Sequence, residues 1–234
     1  MSGVALLTFD LDNTLWDVGS VIVQAEAVMT DWLDANCPAW QHVGRDGMRA
    51  LRGEVARVQP EICHDLTALR LEVLRLTLLK AGLDEAAAVA TARGAFEAFF
   101  AARNTVTLFD GVQSSLALLA ERYPLYALSN GNADIRRAGL AGYFRHQLSA
   151  ASVGFAKPHP RMFEQALSLA GIDASAAIHI GDHPEQDIAA AQAVGMRAIW
   201  VNYSDSAWPL AQKPDGVIRH FSELPELIAR LHVR

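Results

Sequence analysis

The sequence predicts an α/β protein: a doubly wound parallel sheet interrupted early by an all-helical insertion. Two observations carry this. Four apolar runs, at 4–9, 125–128, 177–180 and 198–201, are short and nearly continuous, as strands are when helices cover both faces of a sheet. Helical patterns accompany the last three, whereas roughly 90 residues after the first run show helical periodicity and no strand pattern. Strand–helix alternation implies the doubly wound core, and the insertion makes that core discontinuous. Residues 1–15 and 106–234 are expected to form the core, and 16–105 a helical cap or lid.

The first run ends in two carboxylates, Asp10 and Asp12, which marks a strand end rather than a secretory leader. In the insertion, Val18, Val21, Ile22, Ala25, Met29, Trp32 and Leu33 share one helical face. A second pattern, 43–58, carries Arg45, Arg49, Arg52 and Arg57. Leu66, Leu69, Val73 and Leu76 mark a third helix, apolar around much of its circumference, and 86–100 reads as a fourth. In the core, 111–122 carries Val112, Leu116 and Leu119, and 160–170 carries Met162, Phe163, Ala166, Leu167 and Ala170. The pattern 184–194 begins with Pro184 at a first helical position and stops before Gly195. The polar stretch 203–214 reads as a surface loop.

Composition narrows the function classes. A chain of 234 residues with 51% apolar and 20% charged residues buries a substantial core and is neither disordered nor coiled coil. The net charge of −6, from 20 basic and 26 acidic residues, offers nucleic acid no diffuse attraction. No apolar stretch approaches the ~18 residues of a membrane span. Two cysteines, Cys37 and Cys63, are too few for a disulfide framework, so a reducing, cytoplasmic setting is expected.

The chemistry gathers at strand ends. Asp10 and Asp12 follow the first strand, Ser129 and Asn130 the second, and Asp182 the third, with Asp187 five residues on. In an open parallel sheet, ligands bind outside the carboxyl ends of the strands, where these groups converge. Carboxylates gathered there need a counter-charge, which a hard cation such as Mg²⁺ supplies through oxygen ligands. Lys157, one of only three lysines beside Lys80 and Lys213, supplies another. In Asp10-Leu11-Asp12, residues two apart in extended backbone face one side, so one carboxylate can attack while the other shuttles a proton. Thr14 can donate its hydroxyl within the same turn, and Ser129, Asn130 and the amides around Gly131 offer donors to an oxyanion. Each of these residues also has a structural reading as a cap or turn. Their order, each at a strand end, is what favours the chemical one.

Together the motifs resemble those of the haloacid dehalogenase-like hydrolase superfamily. The first is Asp10-Leu11-Asp12-Asn13-Thr14-Leu15, the second Ser129 after an apolar strand, the third Lys157-Pro158, and the fourth Gly181-Asp182-His183-Pro184-Glu185-Gln186-Asp187. The insertion sits where the family carries its helical cap of the first type, on a Rossmann-like core. The resemblance implies that Asp10 forms an aspartyl-phosphate and that Asp12 serves as acid and then base. It implies Mg²⁺ held by the Asp10 carboxylate, the Asp12 backbone carbonyl and the Asp182 carboxylate, with Asp187 supporting. Ser129 and Lys157 would hold the phosphate of a small-molecule phosphate ester. Dehalogenases of the superfamily have no carboxylate at the Asp12 position, because a halide leaves without a proton, so a phosphatase is favoured over a 2-haloacid dehalogenase. A sugar-phosphate mutase is a further alternative.

A closer resemblance, through Leu7-Thr8-Phe9-Asp10-Leu11-Asp12, Pro60-Glu61-Ile62-Cys63-His64-Asp65 and Ser129-Asn130-Gly131-Asn132-Ala133, is to bacterial phosphatases of flavin mononucleotide and of ribitylamino-uracil phosphate. Trp16, Trp40, Phe96, Phe99 and Phe100 are read either as a platform for a ring or as core, with core favoured. The arginines of 43–58 either steer an anion or form a solvated face. His64 and Asp65 are read either as the start of the third helix, which is favoured, or as a contact to substrate, and His179 is a satisfied core residue. His183 is read either as a helix cap or as a contact to substrate.

Overall fold

Six parallel strands form one sheet in the order β3-β2-β1-β4-β5-β6 in the computed structural model, which describes residues 3–232. They are β1 (Leu6–Phe9), β2 (Leu125–Ser129), β3 (His146–Ser149), β4 (Ala177–Gly181), β5 (Arg197–Val201) and β6 (Gly216–Ile218). The helices, in chain order, are α1 (Val18–Asn36), α2 (Gly44–Val58), α3 (Leu66–Lys80), α4 (Glu85–Arg103), α5 (Val112–Ala120), α6 (Ala150–Val153), α7 (Arg161–Ala170), α8 (Ala190–Ala193) and α9 (Leu224–His232). The chain divides into two compact units: Met1–Val18 with Thr107–Arg234, and Gly19–Val106. The first is a doubly wound α/β unit and the second is helical.

The central strands are apolar because both faces are covered. β1, β2 and β4 are buried at every position. On one face, Leu6, Tyr126, Leu128, Ala177 and Ala198 pack with Met162, Phe163 and Ala166 of α7. Residues of opposite parity, such as Leu7, Phe9 and Leu125, are buried on the other, where the Phe9 ring meets Phe144 edge-on at 5.9 Å and lies 6.4 Å from Phe221. Each fully buried Leu or Ile contributes about 1.5–3 kcal/mol by leaving water. β3 and β6 lie at the two edges of the sheet, and the sequence patterns did not mark them.

The strand order reverses between β1 and β4, so the loops after these two strands flank a crevice. Their pairing sets Thr8 opposite His179 and Phe9 opposite Ile180, so Asp10 follows β1 and Asp182, one register position further along, follows β4.

In the helical unit, Ala25, Met29 and Leu33 of α1 pack with Leu74 and Leu78 of α3 and with Ala88, Ala92, Phe96 and Phe99 of α4. Leu51 and Val55 of α2 lie on Leu69 and Val73 of α3. The α3 helix is buried from two sides, which explains its wide apolar circumference. Its start is fixed by Asp65, whose Oδ1 accepts from the amides of Thr67 and Ala68, both at 2.9 Å. Trp16 and Trp40 are buried, and their indoles donate to Asp12 and Asp34 respectively. Phe96 and Phe99 are also core, as the preferred reading of these rings had it. No helix among the described residues is long and apolar enough to cross a membrane.

Candidate active site

Lys157 organises the crevice. Its side chain is buried, and Nζ donates to Asp10 Oδ1 at 2.7 Å, Asp187 Oδ1 at 2.6 Å and the Leu128 carbonyl at 2.7 Å. All three protons of the ammonium are used. The loop carrying Lys157 is stapled by Asn130: Lys157 N–H donates to Asn130 Oδ1 at 2.7 Å, and Asn130 Nδ2 donates to the Lys157 carbonyl at 2.8 Å. The same Nδ2 reaches Gln186 Oε1 at 3.0 Å. The Asn130 amide is therefore spent on positioning the lysine, not held open for an oxyanion. Ser129 is buried at the end of β2, and its Oγ accepts from the Gly131 amide at 2.9 Å.

Thr14 bridges the two strand ends. Its hydroxyl lies 3.3 Å from Asp10 Oδ2 and 3.2 Å from Asp182 Oδ1. Asp12, two residues beyond Asp10, has Oδ1 fixed by the indole N–H of Trp16 at 2.8 Å. Carboxylate oxygens of Asp10, Asp182 and Asp187 all lie within 4.8 Å of one another. The sequence-predicted residues Asp10, Thr14, Lys157, Asp182 and Asp187 thus meet at one place, with Ser129, Asn130 and Gly131 on the adjoining loop.

Asp187 comes to this cluster through a turn the periodicity did not reveal. The segment Pro184–Ala189 is a π-turn: the Ile188 amide donates to the His183 carbonyl five residues back, at 3.3 Å. Asp187 Oδ2 accepts from the His183 amide at 2.9 Å, and its Oδ1 lies 3.3 Å from His179 Nε2. His179 is core, as expected, with Nδ1 2.8 Å from Thr8 Oγ1. The His183 ring accepts from the amides of Glu185 and Gln186, both at 3.2 Å, so it caps this turn. Gly181 is obligatory here, because a Cβ would stand 2.4 Å from Asp187 Cγ.

Three neighbours of the site were missed in the sequence. Trp200 Nε1 donates to the Asp182 carbonyl at 2.7 Å, Tyr203 OH donates to the Thr14 carbonyl at 3.0 Å, and Gln186 meets Asn130. Trp200 reads as one more apolar strand residue and Tyr203 as loop. Gln186 lay inside the quoted fourth motif and was assigned no role.

The electrostatics follow from burial. Desolvation raises the Asp10 carboxyl to about 8; Lys157 opposes this, and the charges of Asp187 and Asp182 add to it. Asp182 is pushed up to about 6, first by desolvation and then by Asp187. For Asp187, burial alone would raise the value, but the Lys157 ammonium and the His179 contact hold it well below the usual carboxylate range. Burial would lower the Lys157 pKa, and Asp10 and Asp187 more than reverse that. One ammonium therefore faces three carboxylates. A hard dication fits this imbalance and this all-oxygen donor set. Asp187 Oδ1 and Oδ2 are held by strong contacts from Lys157 and the His183 amide, at 2.6 and 2.9 Å; Asp10 Oδ2 and Asp182 Oδ1 carry only the longer contacts from Thr14, at 3.3 and 3.2 Å, and are the oxygens more readily turned to a cation.

Comparison with known proteins finds relatives across the chain. A family model described as haloacid dehalogenase-like hydrolase matches residues 4–195. The chain is 31% identical over 229 residues to the Escherichia coli (strain K12) 5-amino-6-(5-phospho-D-ribitylamino)uracil phosphatase YigB, covering 96% of each chain. It is 36% identical over 135 residues to a phosphoserine phosphatase of Thermus thermophilus, covering 55% of this chain and 54% of that one. Among solved structures, a 2-haloacid dehalogenase from Pseudomonas syringae pv. Tomato DC3000 superposes with a TM-score of 0.94 at 44% identity, covering 97% of this chain and 99% of that one. The chain belongs to the haloacid dehalogenase-like hydrolase family.

Proposed function

We propose that this hydrolase is a Mg²⁺-dependent phosphatase of small-molecule phosphate monoesters, acting through an aspartyl-phosphate on Asp10. The observation that carries the reading is the Asp12 carboxylate, two residues past Asp10 and fixed by Trp16. A leaving alkoxide needs a proton and a halide does not. Two of the relatives are named as phosphatases, which supports the same conclusion.

In this reading an Asp10 oxygen attacks phosphorus, an O–P bond forms, and the P–O bond to the leaving group breaks. Asp12 gives its proton to the departing oxygen. It then takes a proton from water, whose oxygen attacks phosphorus, releasing inorganic phosphate and restoring the Asp10 carboxylate. Ser129 holds one phosphate oxygen, Lys157 holds another by giving up one of its three present contacts, and Thr14 keeps Asp10 and Asp182 in register. Mg²⁺ would be held by the carboxylates of Asp10 and Asp182 and the backbone carbonyl of Asp12, and when bound it supplies positive charge to the phosphoryl oxygens. Asp187 holds Lys157. Ribitylamino-uracil phosphate is the first substrate to try, by likeness to YigB, and flavin mononucleotide the second, by the resemblance of the sequence motifs.

The second reading is 2-haloacid dehalogenase, favoured by the name of the 44%-identical structure. Parallel assays of phosphate release from an aryl phosphate and halide release from a 2-haloacid, with and without Mg²⁺, decide between them. The proposal expects Mg²⁺-dependent phosphate release and no halide release. Metal-independent halide release without phosphate release overturns it.

A further inference from the structure

The helical unit holds a cavity of about 320 Å³ among α1, α2 and α3. Its apolar lining includes Met29 and Val73, and its charged lining is Arg45, Arg49, Arg52 and Arg70 against the single carboxylate of Glu26. Arg45, Arg49 and Arg52 fall on one face of α2 by helical spacing, and Arg70 comes from α3.

Arg45, Arg49 and Arg52 are exposed, as a solvated face requires, and Arg45 feels the charge of Asp34; beyond this the described residues pair them weakly. Arg49 pairs with Asp46 at 3.0 Å, but that pair is solvent-exposed and weak. Arg45 donates to a neutral oxygen, Thr30 Oγ1, at 2.9 Å. Arg52 makes no hydrogen bond or ion pair with any described residue. Arg70 is the informative one, with a side chain only 15% exposed. It stacks 3.7 Å over the Phe99 ring, reaches Glu26 at 3.5 Å, and touches the Met29 sulfur at 3.9 Å. Of its five N–H groups, only these two long contacts are in use. Burial lowers its pKa, Glu26 offsets this in part, and the nearby charge of Arg52 lowers it further. A solvated face accounts for Arg57, which does not line the cavity. It does not account for a desolvated guanidinium beside a like charge with most of its donors unspent.

We propose that this cavity binds a small organic oxyanion, a carboxylate or phosphate on an apolar body. Guanidinium forks match the paired oxygens of such groups, and the apolar lining takes the body. The volume lies at the low end for ligand sites and selects a metabolite-sized molecule. The oxyanion is a separate small molecule taken up within the helical unit.

The test is fluorescence titration of the full chain with the sulfonate probe 8-anilinonaphthalene-1-sulfonate, beside its neutral analogue N-phenyl-1-naphthylamine. The proposal expects saturable binding of the sulfonate that weakens with salt and much weaker binding of the neutral probe. Arg52→Gln should weaken sulfonate binding about tenfold, as expected for loss of one charge-assisted contact, while Arg52→Lys should retain most of the affinity. Arg70→Gln should weaken it too, with thermal melting as the check on folding; the exposed Arg52 keeps the test decisive if Arg70→Gln fails to fold. Equal binding of the two probes, or unchanged affinity in a folded Arg52→Gln, overturns the proposal. This readout needs no turnover, so it stands or falls apart from the phosphatase reading. The source is then told by the KM ratio of 3-phosphoglycerate to glycerol 3-phosphate, which differ in one carboxylate. A ratio raised by Arg52→Gln would assign the cavity to the substrate's own acid group and overturn a separate anion, and an unchanged ratio with weakened probe binding supports a separate anion.

Discussion

Replacing Asp182 by Asn removes one charge from the acidic cluster and keeps the shape of the side chain. In metal-free protein, burial and the charge of Asp187 raise the Asp182 pKa from 3.8 to about 6. Because the folded value lies above the unfolded one, the folded chain holds this proton longer. The cost of ionisation is absent below the unfolded value and fully present above the folded one, so wild-type stability falls as pH rises between them. At about 1.4 kcal/mol per pH unit, the gap amounts to about 3 kcal/mol. The side chain is only partly buried, which makes that an upper figure. For chains of this size, about 2–4 °C of melting temperature accompanies each kcal/mol, so Asp182→Asn should melt up to about 6–12 °C higher above neutral pH. The assay is chemical and thermal unfolding of both proteins with chelator, across the acid to mildly alkaline range. The variant should show a flatter pH profile and lower phosphatase turnover. Excess Mg²⁺, at about 100 times its dissociation constant, should restore about 2.7 kcal/mol to wild type and little to the variant. Equal or lower stability of Asp182→Asn above neutral pH would refute the reasoning.

Three other perturbations follow from the same geometry. Lys157→Met leaves Asp10 and Asp187 buried without their cation, so unfolding should become easier by about 3–5 kcal/mol, a loss that shrinks as acid protonates the stranded carboxylates. Gly181→Ala places a methyl 2.4 Å from Asp187 Cγ. Denaturation should show a loss of about 1–3 kcal/mol, and steady-state kinetics a lower kcat, because Asp187 can no longer hold Lys157 in place. Trp16→Phe removes the N–H that fixes Asp12 and should lower kcat about tenfold with little change in KM, which initial-rate measurements will show.

Much of the fold was legible because burial on both faces makes β1, β2, β4 and β5 nearly continuous apolar runs. β3 and β6 escaped notice for the opposite reason. His146, Gln147 and Ser149 sit on an edge strand with one side toward solvent, and β6 has three residues, one of them glycine. Neither carries a run long enough to show a period. The helix expected over 184–194 is a π-turn followed by the short α8, and hydrophobic spacing does not report the extra residue in such a turn.

In the site, Asp10, Thr14, Lys157, Asp182 and Asp187 were legible because each polar residue interrupts or follows an apolar strand or loop in a fixed order. Asn130 was assigned to the right place, but its amide serves the Lys157 backbone, a partnership across 27 residues that no local pattern encodes. Trp200 and Tyr203 stayed hidden because their polar atoms act at the end of large apolar side chains. Arg70 was hidden for a related reason: it lies in α3, where the surrounding leucines dominate the pattern.

The most direct test is to quench the Mg²⁺-loaded enzyme during turnover of a radiolabelled phosphate ester and map the label by proteolysis. The label should appear on Asp10 as an acyl phosphate cleaved by hydroxylamine, and Asp10→Asn should carry none and release no phosphate. Phosphate release at the wild-type rate by Asp10→Asn, or label on a different side chain, would contradict a covalent role for this carboxylate.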